Sequence, residues 1–369
     1  MMKAAANENR RAVTLPRAGK PRRTFVAFAT KVGQVIEGKG YATDIKLVGN
    51  VAARTMRWNF RVWGFGEAIA LRGLLRAAEV TGDNEPAGFV HALLRTYIER
   101  GVAKSPEEHV APGTELLLLH EKFGEEIFLE AAKRLAALHH GFPTNPHGAR
   151  IHRCDLPGWR QQIWVDCMDA EAPFLARLGT VTGEKKYFDQ AAAELLAYAR
   201  LLQDLGTGLF YHGYETHCGR NGQLWARGNG WALMGLVEAL QHLPRRHPTR
   251  KELLQRLRNL GRGLAKTQSV NGLWHTVITE PETHFESTLA VMNAYALREA
   301  FQADLLNEKE FGAMEKRARA AALRCISKDG ALKLVSDATP IGELKMYASR
   351  PFGVFPWGQG PLLLMLCQS

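Results

Sequence analysis

Residues 68–83 read Ala68-Ile69-Ala70-Leu71-Arg72-Gly73-Leu74-Leu75-Arg76-Ala77-Ala78-Glu79-Val80-Thr81-Gly82-Asp83. Ala68, Ile69, Leu71, Leu74, Leu75 and Ala78 recur at spacings of three and four, the period of a helix that buries one face. Gly82 then offers the left-handed residue that ends many helices. The same punctuation returns at Phe123-Gly124-Glu125 and Thr182-Gly183-Glu184, each time between two apolar stripes. Leu116, Leu117 and Leu119 pair in this way with Phe128, Ala131, Ala132, Leu135 and Leu138. Further pairs are residues 172–178 with 187–202, 231–240 with 253–264, and 289–301 with 311–326. The later turns, near residues 244–248 and 304–307, take the same place without the glycine.

A second element recurs between the hairpins. Thr207-Gly208-Leu209-Phe210-Tyr211-His212 is echoed by Asn271-Gly272-Leu273-Trp274-His275 and, more faintly, by Asp329-Gly330-Ala331-Leu332. Each copy reads as a tight turn leading into a short strand. Repeated helical hairpins build either an open solenoid or a closed ring. A solenoid would show shorter, more uniform repeats with polar caps, so long hairpins with irregular loops favour closure. Five hairpins are clear, and a sixth is expected from a helix near residues 25–36 and a closing helix at 360–366. The expectation is an all-α (α/α)6 toroid of six helical hairpins, with short β segments in its rim loops. Residues 25–369 would form that one domain. Function is expected in the loops of one rim.

Composition narrows the classes. The chain has 369 residues, 46% of them hydrophobic, enough for one large core. Its net charge is +11. Residues 1–24 hold seven basic side chains against Glu8, so they supply six of those eleven charges. A solvated, disordered basic tail accounts for this better than a nucleic-acid site. The remaining excess favours an anionic substrate. No run approaches the roughly 18 apolar residues of a membrane span, and no signal peptide is read at the N-terminus. Cys154, Cys167, Cys218, Cys325 and Cys367 are irregularly spaced, which fits reduced thiols in a cytoplasmic protein rather than a disulfide framework or a zinc site.

The densest chemical signal lies between His152 and Trp231. It contains Trp159, Trp164-Val165-Asp166, Tyr211-His212-Gly213-Tyr214 and Trp225-Ala226-Arg227-Gly228-Asn229-Gly230-Trp231. Aromatic faces pack on sugar rings, and an Arg fork matches a carboxylate, so this set suits a sugar acid. Each residue also has a plainer reading. Asp166 could cap the helix containing residues 172–178; His212 could be tied to backbone; Arg227 could form a salt bridge within the wall. Trp164, Trp225 and Trp231 could be core.

Trp164-Val165-Asp166 followed by Ala172-Pro173-Phe174-Leu175 resembles the catalytic segment of glycoside hydrolase family 105, the unsaturated rhamnogalacturonyl hydrolases. Residues 207–213 and 225–231 resemble two further motifs of that family in the same order. Gly272-Leu273-Trp274 and Pro356-Trp357-Gly358-Gln359-Gly360 extend the resemblance, which runs from about Trp58 onward. It implies an (α/α)6 barrel and a reaction other than ordinary glycoside hydrolysis. The substrate carries a C4–C5 double bond left by a lyase, and one acid hydrates it, protonating C4 and accepting a proton from water. By the resemblance Asp166 is that acid, with Asp169 as a competitor. His212 and Arg227 would hold the substrate, and Trp164, Trp225 and Trp231 would form its platform. Trp63, in Arg61-Val62-Trp63-Gly64-Phe65-Gly66, resembles the family's first aromatic loop. His152, Asp155 and Arg350 are weaker candidates for the funnel wall.

The related family 88 glucuronyl hydrolases carry a second Asp near an early helix. Here that segment reads His109-Val110-Ala111-Pro112-Gly113-Thr114, preceded by Glu107 and Glu108. The question of whether Glu108 or His109 assists Asp166 stays open. The implied partner is a small acidic oligosaccharide, with no cofactor, no metal, no nucleic acid and no membrane. Two other readings stand beside it. One is an (α/α)6 sugar epimerase of the acylglucosamine 2-epimerase type, drawing on His120, His139, His140, His212, His217 and His275. The other is a non-catalytic helical-repeat binding protein.

Overall fold

A computed structural model describes residues 43–60, 64–101 and 110–368, all within the unit Ala42–Ser369. The basic tail, the helix expected near residues 25–36, Trp63, Glu107, Glu108 and His109 lie outside the described residues.

Two concentric rings of helices make up the unit. The inner ring is α2 (Phe65–Thr81), α4 (Gly113–Phe123), α7 (Ala172–Thr182), α9 (Ala226–His242), α11 (Thr288–Gln302) and α14 (Pro356–Leu366). Each packs on the next, and α14 returns to α2, so the ring closes. Outside them lie α1 (Ile45–Met56), α3 (Glu85–Glu99), α5 (Glu126–His140), α8 (Lys185–Leu202), α10 (Arg250–Thr267) and α12 (Glu308–Arg324), each backing its inner partner. The sequence accounts for the layering. α9 is buried on every side from Ala226 to Leu240. α10 buries only a stripe that includes Leu253, Leu257, Leu260 and Leu264 and turns its charges outward.

The expected toroid is therefore present, with two corrections. The sixth outer helix is α1, which the helical reading overlooked, and it pairs with α14. That closing helix begins at Pro356 rather than Gly360, with Pro356 in its first turn, where a missing N–H costs nothing. Asp44 caps α1 by accepting from the Leu47 N–H at 3.0 Å, and Val48, Val51, Ala52 and Thr55 form its buried face.

The repeated turns explain how the rings lock. A Cβ on Gly208 would sit 2.3 Å from the Asn259 carbonyl of α10. One on Gly272 would sit 2.4 Å from Arg317 O of α12, and one on Gly330 2.7 Å from Asn50 O of α1. Each turn thus presses its glycine on the backbone of the next outer helix, and the faint third copy docks on α1. Gln203, Gln268 and Gln359 each donate to the carbonyl of the turn glycine, at 2.9, 3.1 and 3.0 Å.

The short strands line one rim. β1 (Gln162–Trp164), β2 (Gly213–Glu215) and β3 (Gly219–Arg220) form one antiparallel sheet. β4 (Trp274–His275) pairs with β5 (Phe285–Glu286), and β6 (Val335–Ser336) with β7 (Phe352–Gly353). Two short helices, α6 (Cys167–Ala170) and α13 (Leu344–Ala348), complete the rim. No helix among the described residues is long and apolar enough to cross a membrane.

Candidate active site

The strands and rim loops run directly into the N-termini of the inner helices, so the positive ends of those helices face whatever binds there. A pocket of about 270 Å³ opens at this rim. Asp166, Trp164, Trp225, Arg227, Trp231 and His152 all line it, together with Phe65, Trp159, Thr339 and Trp357. A cavity of about 190 Å³ at the opposite end of the ring is lined mainly by charged and polar side chains and by no Trp or Phe.

Strand register places Asp166. Trp164 pairs with Gly213, and the Val165 N–H then bonds His212 O at 2.9 Å. The chain turns at once into α6, which brings Asp166 Oδ2 to 3.5 Å from His212 Nε2. Gly235 of α9 lets this turn approach closely, because a Cβ there would lie 2.1 Å from Met168 O. Asp166 occupies the cap position of α6 but makes no capping hydrogen bond, and Glu171 precedes α7. The capping account of Asp166 therefore fails.

Asp169, one turn on, faces away from the pocket. It lies 3.4 Å from Arg72 Nη2, in a buried cluster with Glu115 and Glu238. Burial pushes the Asp169 carboxyl up to about 8 and Glu115 up to about 7, against the pull of Arg72.

His212 is fully buried, and burial lowers its proton affinity more than Asp166 raises it, so it is held as a neutral imidazole. Its Nδ1 lies 2.6 Å from the Tyr347 hydroxyl. Its ring packs 4.2 Å from Trp225, centroid to centroid, and meets Trp164 edge-on. The plainer reading, a His tied to backbone, is not what holds its ring: both ring nitrogens face side chains. On the outer side Trp164 stacks on His152 at 4.3 Å and on Trp159 at 4.7 Å, a layered aromatic wall. Trp357, which also lines the pocket, stacks on Phe355 at 4.7 Å.

Among the described residues three buried polar atoms here have no hydrogen-bond partner: Asp166 Oδ2, His212 Nε2 and Trp225 Nε1. Buried polar atoms are paired in the great majority of cases, and Asp166 and Trp225 line the pocket, so their orphaned atoms mark groups open to a ligand there.

Arg227 is engaged differently. Its Nη1 meets Glu286 at 2.6 Å and Ser336 O at 2.9 Å, its Nη2 donates to Asp337 O at 2.9 Å, and its plane lies 4.4 Å over Trp225. The salt bridge within the wall is thus real, although Arg227 also lines the pocket. Other members of its motif also tie the structure together. Asn229 accepts from Phe210 N at 2.8 Å and donates to Phe210 O at 2.9 Å, tying the Gly208 turn to α9. Trp231 is buried against Phe65 at 4.9 Å.

Other candidates fall outside. Arg350 does not line the pocket; it donates to Ala338 O, which does, at 3.1 Å. Asp155 clasps Arg153 at 2.8 Å and is absent from the wall. Of the histidines an epimerase would need, His120 and His275 bond backbone carbonyls and His139 bonds Glu194. Among the described members of that set His212 is the one that adjoins Asp166. Trp357, Glu286 and Tyr347 were missed as site residues; Trp357 carried a signal, since it sits in a quoted motif. Among the described residues His139, Glu171 and Glu194 have ligand atoms close enough for a metal ion, but Arg150 already bonds Glu194 and Tyr198 bonds Glu171.

Comparison with known proteins agrees with this architecture. The unsaturated rhamnogalacturonyl hydrolase YesR of Bacillus subtilis is 26% identical over 327 residues, covering 87% of this chain and 93% of its own. A family 105 glycoside hydrolase from Clostridium acetobutylicum superposes with a TM-score of 0.79 at 24% identity, covering 88% of this chain and 99% of that one. The unsaturated glucuronyl hydrolase of Bacillus sp. GL1 does so with 0.66 at 18% identity, covering 87% and 94%. The model of Glycosyl Hydrolase Family 88 matches residues 49–369, and the chain belongs to that family.

Proposed function

We propose that the enzyme releases the terminal 4,5-unsaturated uronic acid from short pectin-like, rhamnogalacturonan-type oligosaccharides by hydrating the C4–C5 double bond. One observation carries this reading: among the described residues Asp166 is the one carboxylate lining the pocket. Ordinary glycosidases need two carboxylates flanking the bond. Hydration of an enol ether needs one group that first gives a proton and then takes one.

The protonated Asp166 carboxyl gives its proton to C4. The π electrons form the new C–H bond and leave an oxocarbenium at C5, stabilised by the ring oxygen. Water adds to C5 and surrenders a proton to the Asp166 carboxylate, which restores the acid. The hemiketal opens at the bond between C5 and the ring oxygen. The hemiacetal left at C1 then expels the next sugar as an alcohol. Trp225 Nε1 supplies an N–H to this position, His212 Nε2 faces Asp166, and Trp164 and Trp159 offer faces to the sugar rings. Arg227 contributes positive charge beside the uronate carboxylate while keeping the rim segment after Ser336 in place. The basic excess of the chain favours the same anionic ligand.

The test follows the ultraviolet absorbance of the conjugated enol-ether acid with a panel of lyase-generated disaccharides, wild type beside Asp166→Asn. Decay with wild type and none with the variant is expected. No decay on any member of the panel would overturn the reading.

A further inference from the structure

Among the described residues the Tyr347 hydroxyl has two hydrogen-bond partners. It accepts from Asn221 Nδ2 at 3.0 Å, and that amide is oriented by its own bonds, Oδ1 accepting from Gly213 N at 3.2 Å and Nδ2 donating to Gly342 O at 3.3 Å. Asn221 Nδ2 offers no lone pair, so the acceptor for the hydroxyl's own proton is His212 Nδ1, at 2.6 Å. A neutral imidazole that accepts at Nδ1 carries its hydrogen on Nε2. That nitrogen faces Asp166 Oδ2 at 3.5 Å, and among the described residues neither atom has another partner. Tyr347 and His212 are fully buried and Asn221 is half-buried, and together they link the end of β3, α13 and the Asp166 turn.

The geometry points to Tyr347 as a positioning residue that locks His212 in the tautomer presenting Nε2–H to Asp166. This inference rests on the hydrolase reading for its kinetic consequences, though not for the tautomer itself. The Nε2–H stabilises the Asp166 carboxylate that forms when C4 has been protonated, and it releases that carboxylate to take the proton of water. A tautomer with Nε2 bare would set two acceptors against each other and block the second step. The charged and titratable groups that face His212 are Asp166, Tyr347 and, at longer range, Arg227. Removing the Tyr347 proton donor takes away the bond that favours the neutral ring, so the variant imidazole gains proton affinity.

The experiment measures the imidazole nitrogen-15 shifts of His212 in the full chain, assigned by comparison with His212→Gln, in wild type and Tyr347→Phe. Wild type is expected to show the Nε2–H tautomer at neutral pH, and Tyr347→Phe a mixture. On a turned-over substrate, kcat should fall about tenfold or more with KM nearly unchanged. The acid limb of the pH–rate profile should move to higher pH. If Tyr347→Phe does not fold, Asn221→Ala frees one lone pair of the same hydroxyl and should loosen the tautomer in the same direction. A wild-type ring protonated on Nδ1 would overturn the inference, as would a variant with wild-type shifts and pH profile. Should no unsaturated sugar be turned over, the hydrolase reading fails while the nitrogen shifts still decide this one.

Discussion

Arg227, which lines the pocket, brings its Nη1 to 2.6 Å from Oε1 of the fully buried Glu286. Glu286 also accepts from Thr276 at 3.3 Å and Ser336 Oγ at 3.0 Å, so the pair joins α9, β5 and β6. Arg227→Ala would strand that carboxylate without a cation and free the Ser336 and Asp337 carbonyls. A loss of about 3–5 kcal/mol is expected, as for other broken buried pairs, together with loss of turnover. Arg227→Lys keeps the charge but not the fork, and should fall between. Urea unfolding measures this directly. A wild-type midpoint for Arg227→Ala would assign the residue to substrate alone.

Asp166 and Asp169 share one turn but have opposite surroundings. Asp166→Asn removes no capping bond, so its unfolding free energy should stay within about 0.5 kcal/mol of wild type. Its kcat should fall by roughly 10²–10⁴, the span of a general acid–base group. Asp169→Asn alters the cluster around Arg72, and should change stability while sparing most of the turnover. Stopped assays on both variants, beside their melting curves, separate the two. Inverted results would make Asp169 the acid.

The same cluster gives a pH dependence of stability. Glu115 and Asp169 are raised to about 7 and about 8 by burial, from 4.5 and 3.8. Between these limits the folded chain binds protons that the unfolded chain has released, so stability falls as pH rises. The contribution is complete below about pH 4 and is lost as pH climbs through the folded values. The melting temperature should therefore decline from pH 5 to 8, by roughly 2 °C for each kcal/mol lost in a chain of this size. Glu115→Gln, neutral at every pH, should flatten part of that slope. Superposed curves for the two proteins would show that Glu115 does not titrate there.

Local signals were readable in the sequence and distant pairings were not. Periodicity and the glycine turns revealed five hairpins because each is a short-range pattern. Helix α1 had its own signal, Asp44 ahead of Val48, Val51, Ala52 and Thr55, but only the docking of Gly330 on Asn50 O identifies it as the sixth outer helix. Asp166 was separable from Asp169 by resemblance, yet the reason one faces the pocket is the pairing of Trp164 with Gly213. No local pattern records that Arg227 finds Glu286, or that His212 finds Tyr347 on a helix 135 positions away. Such contacts are decided by ring closure, and they hold the polar groups that the motifs only name.

Ring closure also sets how tightly α9 can press on the Asp166 turn, and Gly235 tests this. A Cβ there would meet Met168 O at 2.1 Å and Asp169 N at 2.9 Å, both backbone atoms that no rotamer change can move. Gly235→Ala must therefore push α6 away from α9, at a cost of about 1–3 kcal/mol. Because α6 begins immediately after Asp166, the carboxyl moves with it. A displacement of about 1 Å can cost 10²-fold in rate, so kcat should drop by at least about tenfold while KM changes less. Gly49→Ala on α1 is the reference, since a Cβ there meets nothing within 4 Å. Helix propensity alone should make that variant neutral or more stable by up to about 1 kcal/mol. If Gly235→Ala instead matches Gly49→Ala in melting temperature and in kcat, the Asp166 turn is not held by its approach to α9.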